Sequence, residues 1–287
     1  MSNGSPRIAI FGPGLMGASL LMALRSRKPE TDLSVWARRE EAVREVIERG
    51  LADSGSADAA EVARNADIVV LCVPVDRMKE TAALVAPHIK PDALVTDVGS
   101  TKEKLVSELG QIFSANRNFV GSHPMCGSEE SGLGAARADL YEGALCAVCP
   151  TDASRPDLVH KAQDLWKSVG GRVKELSPAE HDKAVAATSH VPHVAAAALV
   201  ELVAQEQPTH RQLCATGFRD TTRIASGSPE LWTAILSDNA EKTASSLARL
   251  ETIIAGYRQA IADGRREDIA RMLRSAAEAR AKIFPDN

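Results

Sequence analysis

Cysteine, aromatic residues and net charge are all scarce in this chain, and each shortage excludes a class of protein. Five cysteines in 287 residues make no disulfide framework, and an odd count leaves one unpaired, so reduced thiols are expected. Cys146 and Cys149 form a C-x-x-C, yet they stand in a short apolar run from Ala144 to Cys149 that reads as a buried strand. With neither a thioredoxin-type turn nor a second ligand pair, no redox or metal role is assigned to them. Three tryptophans, two tyrosines, five phenylalanines and a formal charge of −4 offer few stacking platforms and no positive field, which argues against nucleic acid as a partner. No apolar run approaches the roughly 20 residues needed to cross a bilayer, and Met1 to Pro6 is too short and polar for a signal peptide. A cytoplasmic protein with no membrane partner is expected. What is present is ordinary: 44% hydrophobic and 25% charged residues suffice for a buried core, and the length suggests two domains.

From Arg7 to Leu176 short apolar runs alternate with amphipathic stretches, the pattern of βαβ units around a parallel sheet. Strands are expected at Arg7 to Phe11, Leu33 to Trp36, Asp67 to Val73, Ala93 to Val98, Asn118 to Val120, Ala144 to Cys149 and Arg172 to Leu176. Ser177, Pro178 and Glu180 then make a helix start, with a capping hydroxyl, proline at the first position and a carboxylate three residues on. Everything beyond reads as helical, over 182–204 with a kink at Pro192, then 210–225, 229–256 and 266–283. The expected fold class is α/β, a Rossmann-type doubly wound parallel sheet over residues 1–176 followed by an all-helical domain over 177–287.

Gly12, Gly14 and Gly17 form a G-x-G-x-x-G at the end of a strand and the start of an apolar helix. In that context the first glycine permits the tight turn, the second lets backbone approach a pyrophosphate, and the third lets helix and strand pack closely. Leu15 and Met16 between them, and Val73 and Pro74 past the third strand, are further candidate cofactor contacts. The acid that usually binds the adenosine ribose at the end of the second strand is missing. Ala37, Arg38 and Arg39 stand there, and Asp32 lies at the wrong end of the strand. Two guanidiniums in that place suit a 2′-phosphate, so NADP is favoured over NAD; the alternative is that both are solvated charges beside Glu40 and Glu41.

In open α/β sheets ligands bind outside the carboxyl ends of the strands. Past the fourth strand comes Ser100, and past the fifth a loop carrying His123. A histidine at the mouth of a dinucleotide site can take the proton of a hydroxyl whose carbon gives up hydride, with Ser100 to orient it. The helical part adds His190 and His193 at i and i+3. No third ligand at suitable spacing accompanies them, so the choice lies between interface and substrate contacts rather than metal. Arg219 and Arg223 stand at i and i+4; one can clamp a carboxylate while the other pairs with Asp220 or Glu230.

These segments together resemble the prephenate/arogenate dehydrogenases of tyrosine biosynthesis. The resemblance rests on 121–129 with Ser131 and Gly132, on 97–102, on His181 and Asp182, on 189–193, and on 218–225 with Trp232 beyond. It implies a dinucleotide domain, a helical dimerisation domain that makes a homodimer, and prephenate or arogenate as substrate. Carried over, His123 corresponds to the catalytic base and Ser100 to the serine that hydrogen-bonds it. His193 and His190 fall on the substrate-contact segment, Arg223 on the carboxylate clamp and Glu129 on an acid at the mouth. The chain ends at Asn287 without the regulatory domain some relatives carry, so tyrosine feedback is expected only at the active site itself. A β-hydroxyacid dehydrogenase or imine reductase of the same layout, with Lys183 as acid/base, and a dinucleotide sensor without turnover are the competing readings.

Overall fold

The computed structural model describes residues 6–127 and 130–285. By its internal contacts the chain falls into two compact units, Met1–Asn239 and Ala240–Asn287.

In the first unit, five short strands form a parallel sheet in the order β3-β2-β1-β4-β5: β1 Arg7–Phe11, β2 Asp32–Trp36, β3 Ser54–Ser56, β4 Ile68–Leu71 and β5 Leu94–Asp97. Successive side chains of a strand face opposite ways. Ile8 and Ile10 accordingly enter one apolar core with Leu33, Val35, Ile68 and Val70, while Ala9 and Phe11 enter another with Val69, Leu71 and Val95. Burial on both faces is why the strands other than β3 read as largely apolar runs, and it requires helices on both sides. They are α1 Leu15–Arg27, α2 Glu40–Glu48, α3 Ala59–Ala63, α4 Val75–Val85 and α5 Glu103–Ile112.

A second sheet of three strands, β6 Gly121–Pro124, β7 Leu145–Cys149 and β8 Arg172–Glu175, follows, with α6 Pro156–Ser168 between the last two. Two expectations change here. The chain at Asn118 to Val120 is not a ladder strand and makes a single bridge, Phe119 to Val95. The strand proper is β6, antiparallel to β7, so His123 sits in a strand rather than on a loop. The sheet is therefore split rather than uniformly parallel. Ser54–Ser56, too short and polar to be recognised as a strand, pairs with Ser34–Trp36.

The strands end at Glu175, and helices follow. Ser177 caps α7 Pro178–Val185 with the expected reciprocal bonds to Glu180. The helical path continues through a π-turn at Ala186–His190 into α8 Val191–Ala204, so the missing amide of Pro192 is accommodated by one widened turn. This 27-residue path is long and apolar enough, by length and composition, to cross a membrane, contrary to the expectation that no such run exists. Its buried His181, Asp182 and His190 belong instead to a polar network. The helix expected over 210–225 is broken into α9 Pro208–Arg211 and α10 Thr216–Thr222, with a 3-10 turn Arg223–Ser226 after it, because Ala215 is extended. That expected over 229–256 is cut at Asn239, after α11 Pro229–Asp238.

The second unit is a helix pair, α12 Ala240–Ala262 and α13 Arg266–Ile283, joined by a turn in which Gly264 has φ +64°. Ile253, Ile254, Ile261, Leu273 and Ile283 are all exposed on it.

Candidate active site

The turn from β1 into α1 is built by backbone. Gly12 donates to the Trp36 carbonyl at 3.0 Å, and Cys72 donates to that of Phe11 at 2.8 Å, which places the turn between β2 and β4 where the strand order reverses. Gly12 has φ +106°, a conformation that favours glycine. A Cβ on Gly17 would lie 2.1 Å from the Gly12 carbonyl oxygen, so only glycine lets α1 approach this closely, whereas one on Gly14 would meet nothing within 4 Å. No side chain caps α1 at Gly14, which leaves its first amides for an anion. Next to it opens a cleft of about 770 Å³ lined by Gly12, Gly14, Arg38, Arg39, Val73 and Pro74 among others. Leu15, Met16 and Gly17 are not part of that lining; the Met16 carbonyl accepts from Tyr141 at 2.7 Å.

The residues past β2 stand as follows. Asp32 is held by Arg7 at 2.7 Å, at the far end of the strand from the cleft. Arg38 and Arg39 are exposed, and among the described residues neither makes an ion pair with Glu40 or Glu41.

His123 lies at the head of a buried chain of hydrogen bonds. Its Nδ1 is 2.8 Å from His181 Nε2, and His181 Nδ1 is 2.8 Å from Asp182 Oδ1. Asp182 also accepts the backbone amides of Lys102 at 2.8 Å and Glu103 at 2.9 Å, at the start of α5. Burial alone would push its carboxyl up, but the bonds from His181 and from these amides outweigh it and hold Asp182 below the usual carboxylate range. His123 is pushed well below 6.5, first by burial and then by the electrostatics of its neighbours His181, Lys102 and His190. It is a neutral base at working pH.

Ser100 was expected to orient His123. Instead His181 meets Nδ1, and no hydrogen bond of the described residues joins Ser100 to His123. Lys102 is fully buried, with Nζ 2.6 Å from Asp97 Oδ2 and 2.8 Å from the Thr101 carbonyl. Lys183, the acid/base of the competing reading, is exposed on α7.

Farther along the same helical path, Asn239 donates to the Asp182 carbonyl at 2.8 Å and lies 3.3 Å from His190 Nδ1, which is why the chain breaks there. Burial pushes His190 down to about 4, against the pull of Asp182. His193 stacks on Trp232 with ring centroids 3.5 Å apart and planes 14° apart. Gly227 makes room for this, since a Cβ there would lie 2.6 Å from Trp232 Nε1. Burial lowers the pKa of His193, and its Nδ1 is buried without a hydrogen-bond partner, a group left for a ligand to satisfy. Arg223 is exposed at the head of the 3-10 turn that packs on α8, while Arg219 lies beside Asp220 at 3.5 Å. Arg223 and Arg219 thus do not share one helix as expected. Glu129, the expected acid at the mouth, lies outside the described residues.

The roles of His181, Asp182, Asn239, Asp97 and Lys102 were not assigned from sequence. His181, Asp182 and the segment 97–102 entered there only as parts of the resemblance, and a further signal is a charged residue within an apolar run, such as Asp97 at the end of β5. The thiols do not join in: Cys146 and Cys149 are buried and free, and burial pushes each to about 12.

Comparison with known proteins identifies the family. The family described as prephenate dehydrogenase, nucleotide-binding domain, matches residues 20–175, and that described as prephenate dehydrogenase, dimerization domain, matches residues 177–275. The chain is 31% identical to a cyclohexadienyl dehydrogenase of Zymomonas mobilis over 98% of its own length and 97% of the relative's. A crystal structure of prephenate dehydrogenase from A. aeolicus in complex with hydroxyphenyl propionate and NAD+ superposes with a TM-score of 0.91 at 29% identity, covering 99% of this chain and 100% of that one. One of Synechocystis arogenate dehydrogenase does so with a TM-score of 0.85 at 30% identity, covering 97% and 100%. With both halves of the chain matched and a relative aligned end to end, the protein belongs to the prephenate dehydrogenase family.

Proposed function

We propose that this chain is a prephenate/arogenate dehydrogenase of tyrosine biosynthesis, an oxidoreductase that uses a nicotinamide dinucleotide to decarboxylate its substrate oxidatively. The observation that carries the reading is His123, a base depressed by burial, with Nδ1 engaged and Nε2 left over, in the strand that follows the glycine-cradled cleft. Gly12, Gly14 and the first amides of α1 would hold the nucleotide and its pyrophosphate, and the bound oxidised nicotinamide would supply the acceptor for a hydride from C4 of the cyclohexadienol. His123 takes the C4 hydroxyl proton as the C4–H bond breaks. The ring carboxylate leaves as CO2, its bonding electrons aromatise the ring, and the proton returns to the phenol oxygen, so none is released. Because aromatisation drives the step, the protein's main task is orientation.

Among the remaining residues, His193 offers its unpartnered Nδ1 to the substrate and Arg223 clamps a carboxylate, with His190 and Glu129 as further substrate contacts and Ser100 beside the nicotinamide. Arg38 and Arg39 favour NADP over NAD through a charge-assisted contact to the 2′-phosphate. The protein works as a homodimer, with residues 1–176 as the nucleotide domain and 177–287 as the dimerisation domain. Exposed Leu199, Leu202 and Leu213 supply apolar surface that a second copy would cover. Initial rates with prephenate and with arogenate, each with NAD and NADP, test the reading: turnover of neither substrate with either cofactor overturns it.

A further inference from the structure

We infer that His181 is a positioning residue which, held by Asp182, dictates the tautomer of His123 and leaves Nε2 as the nitrogen that accepts the substrate proton. This rests on the reading of His123 as the base. The hydrogens along the chain of bonds are set from its anionic end. Asp182 accepts two backbone amides at the N-terminus of α5, from Lys102 and Glu103, a place that favours the ionised carboxylate. A carboxylate has no proton to give, so the 2.8 Å contact to His181 Nδ1 requires the hydrogen on that nitrogen. In the neutral imidazole, His181 Nε2 then carries a lone pair. Its 2.8 Å contact with His123 Nδ1 would set two lone pairs against each other unless His123 Nδ1 donates. With His181 neutral, one assignment of hydrogens satisfies both contacts, and it leaves the His123 Nε2 lone pair free.

The same arrangement serves after proton transfer. The O–H bond of the substrate breaks, an N–H bond forms at Nε2, and the resulting imidazolium keeps donating through Nδ1 to an acceptor backed by a carboxylate. The logic is that of a serine–histidine–aspartate triad with a second histidine inserted, where the acid orients and stabilises the imidazolium without itself being protonated. The ring centroids lie 5.1 Å apart with planes at 67°, a separation that fits two ring nitrogens meeting head-on at 2.8 Å. The charged and titratable groups around His123 are His181 and Asp182 on α7, His190 on the π-turn, and Lys102 with its partner Asp97 ahead of α5. None of them besides His181 is within hydrogen-bond distance of the ring.

The test compares His181→Gln, whose amide oxygen can still accept from His123, with His181→Leu, which cannot. The full-length Leu variant is expected to lose kcat by about 10²-fold or more while substrate KM and cofactor affinity change little, and the Gln variant to recover at least about tenfold of that loss. Equal kcat in the two variants overturns the relay, because a merely space-filling role would treat them alike. Nitrogen NMR of the wild-type chain with labelled histidine, assigned with His123→Ala, is an arm that needs neither turnover nor the Leu variant to fold. It should find His123 protonated at Nδ1 and unprotonated at Nε2. Protonation at Nε2 overturns the inference whatever the substrate proves to be, whereas failure of the wild type to turn over prephenate or arogenate overturns only the functional reading.

Discussion

Gly14 and Gly17 belong to one motif, yet the structure assigns them opposite sensitivities, and alanine at each separates them. At Gly17 the added methyl would lie 2.1 Å from the Gly12 carbonyl oxygen, 3.0 Å from Ile10 Cγ2 and 3.1 Å from Cys72 Cβ. The nearest of these is backbone, so relief requires α1 to move off β1 by about 1 Å. Such overpacking costs about 1–3 kcal/mol, set against at most about 1 kcal/mol regained from the less flexible unfolded chain. The same displacement shifts the amides that receive the pyrophosphate. Gly17→Ala should therefore lower Tm by several degrees and weaken dinucleotide binding together. Gly14 has φ −75° and an open Cβ position. Gly14→Ala should leave Tm unchanged or slightly raised while weakening binding alone, since its methyl enters the space the pyrophosphate needs. Thermal unfolding and fluorescence titration with both dinucleotides measure the two effects. A Gly17→Ala protein with wild-type Tm and affinity, or a Gly14→Ala protein that loses stability but binds normally, refutes the assignment.

Four further outcomes follow from the site. His123→Ala should keep cofactor binding and lose about 10²- to 10⁴-fold in kcat; in the wild type the acidic limb of kcat/KM should fall below pH 6.5, because burial disfavours the imidazolium, and a limb at or above 6.5 contradicts that. Arg223→Ala should raise substrate KM by an amount worth about 1.5–3 kcal/mol; an unchanged KM moves the clamp to Arg219. His190, at about 4 in the folded chain against 6.5 unfolded, lets the unfolded state bind more protons between those values, so its contribution is complete above pH 6.5 and declines as pH falls. Tm should drop over that window by an amount worth up to about 3 kcal/mol, and a flat profile there is incompatible with the buried neutral ring. Ala37→Asp combined with Arg38→Ala should move cofactor preference toward NAD by about ten- to hundredfold; a wild type already more efficient with NAD makes these arginines mere surface charge.

The elements legible in the sequence were those whose local pattern and burial agree. Strands β1, β2, β4 and β5 are apolar because both faces are covered, and the glycine loop announces itself by spacing and by its place between strand and helix. The family segments around His123, His193 and Arg223 were recognisable too. What stayed hidden depends on partners remote in sequence. Nothing near Gly121 says that the chain crosses to a second sheet and runs antiparallel to β7, since that is decided by its pairing with Cys149. Helix breaks at Ala215 and Asn239 were missed for the same reason: Asn239 leaves the helix to serve Asp182 and His190. Ser100, just past a strand end, was expected to be the partner of His123, whereas His181, in the helical part of the chain, is the partner in space.

The segment from Asp97 to Lys102 shows why so much charge is buried here. Asp97 closes β5 and accepts the amide of Ser122 at 2.9 Å, the amide of Gly99 at 2.7 Å and the Lys102 ammonium at 2.6 Å. Lys102 then gives its own amide to Asp182. One short stretch thus ties the parallel sheet to β6, which carries His123, and to α7, which carries His181. Stability is a weak reason to keep such an ion pair: replacing both charges with apolar groups of similar volume is often neutral or stabilising, whereas removing one partner costs about 3–5 kcal/mol. Position is the stronger reason. A base must be held to within a fraction of an ångström of its productive place, and Asp97 fixes β6 through the amide next to His123 while Asp182 fixes the ring that faces it. Apolar packing could hold the two elements together, but it has no means of specifying which nitrogen of His123 bears the hydrogen.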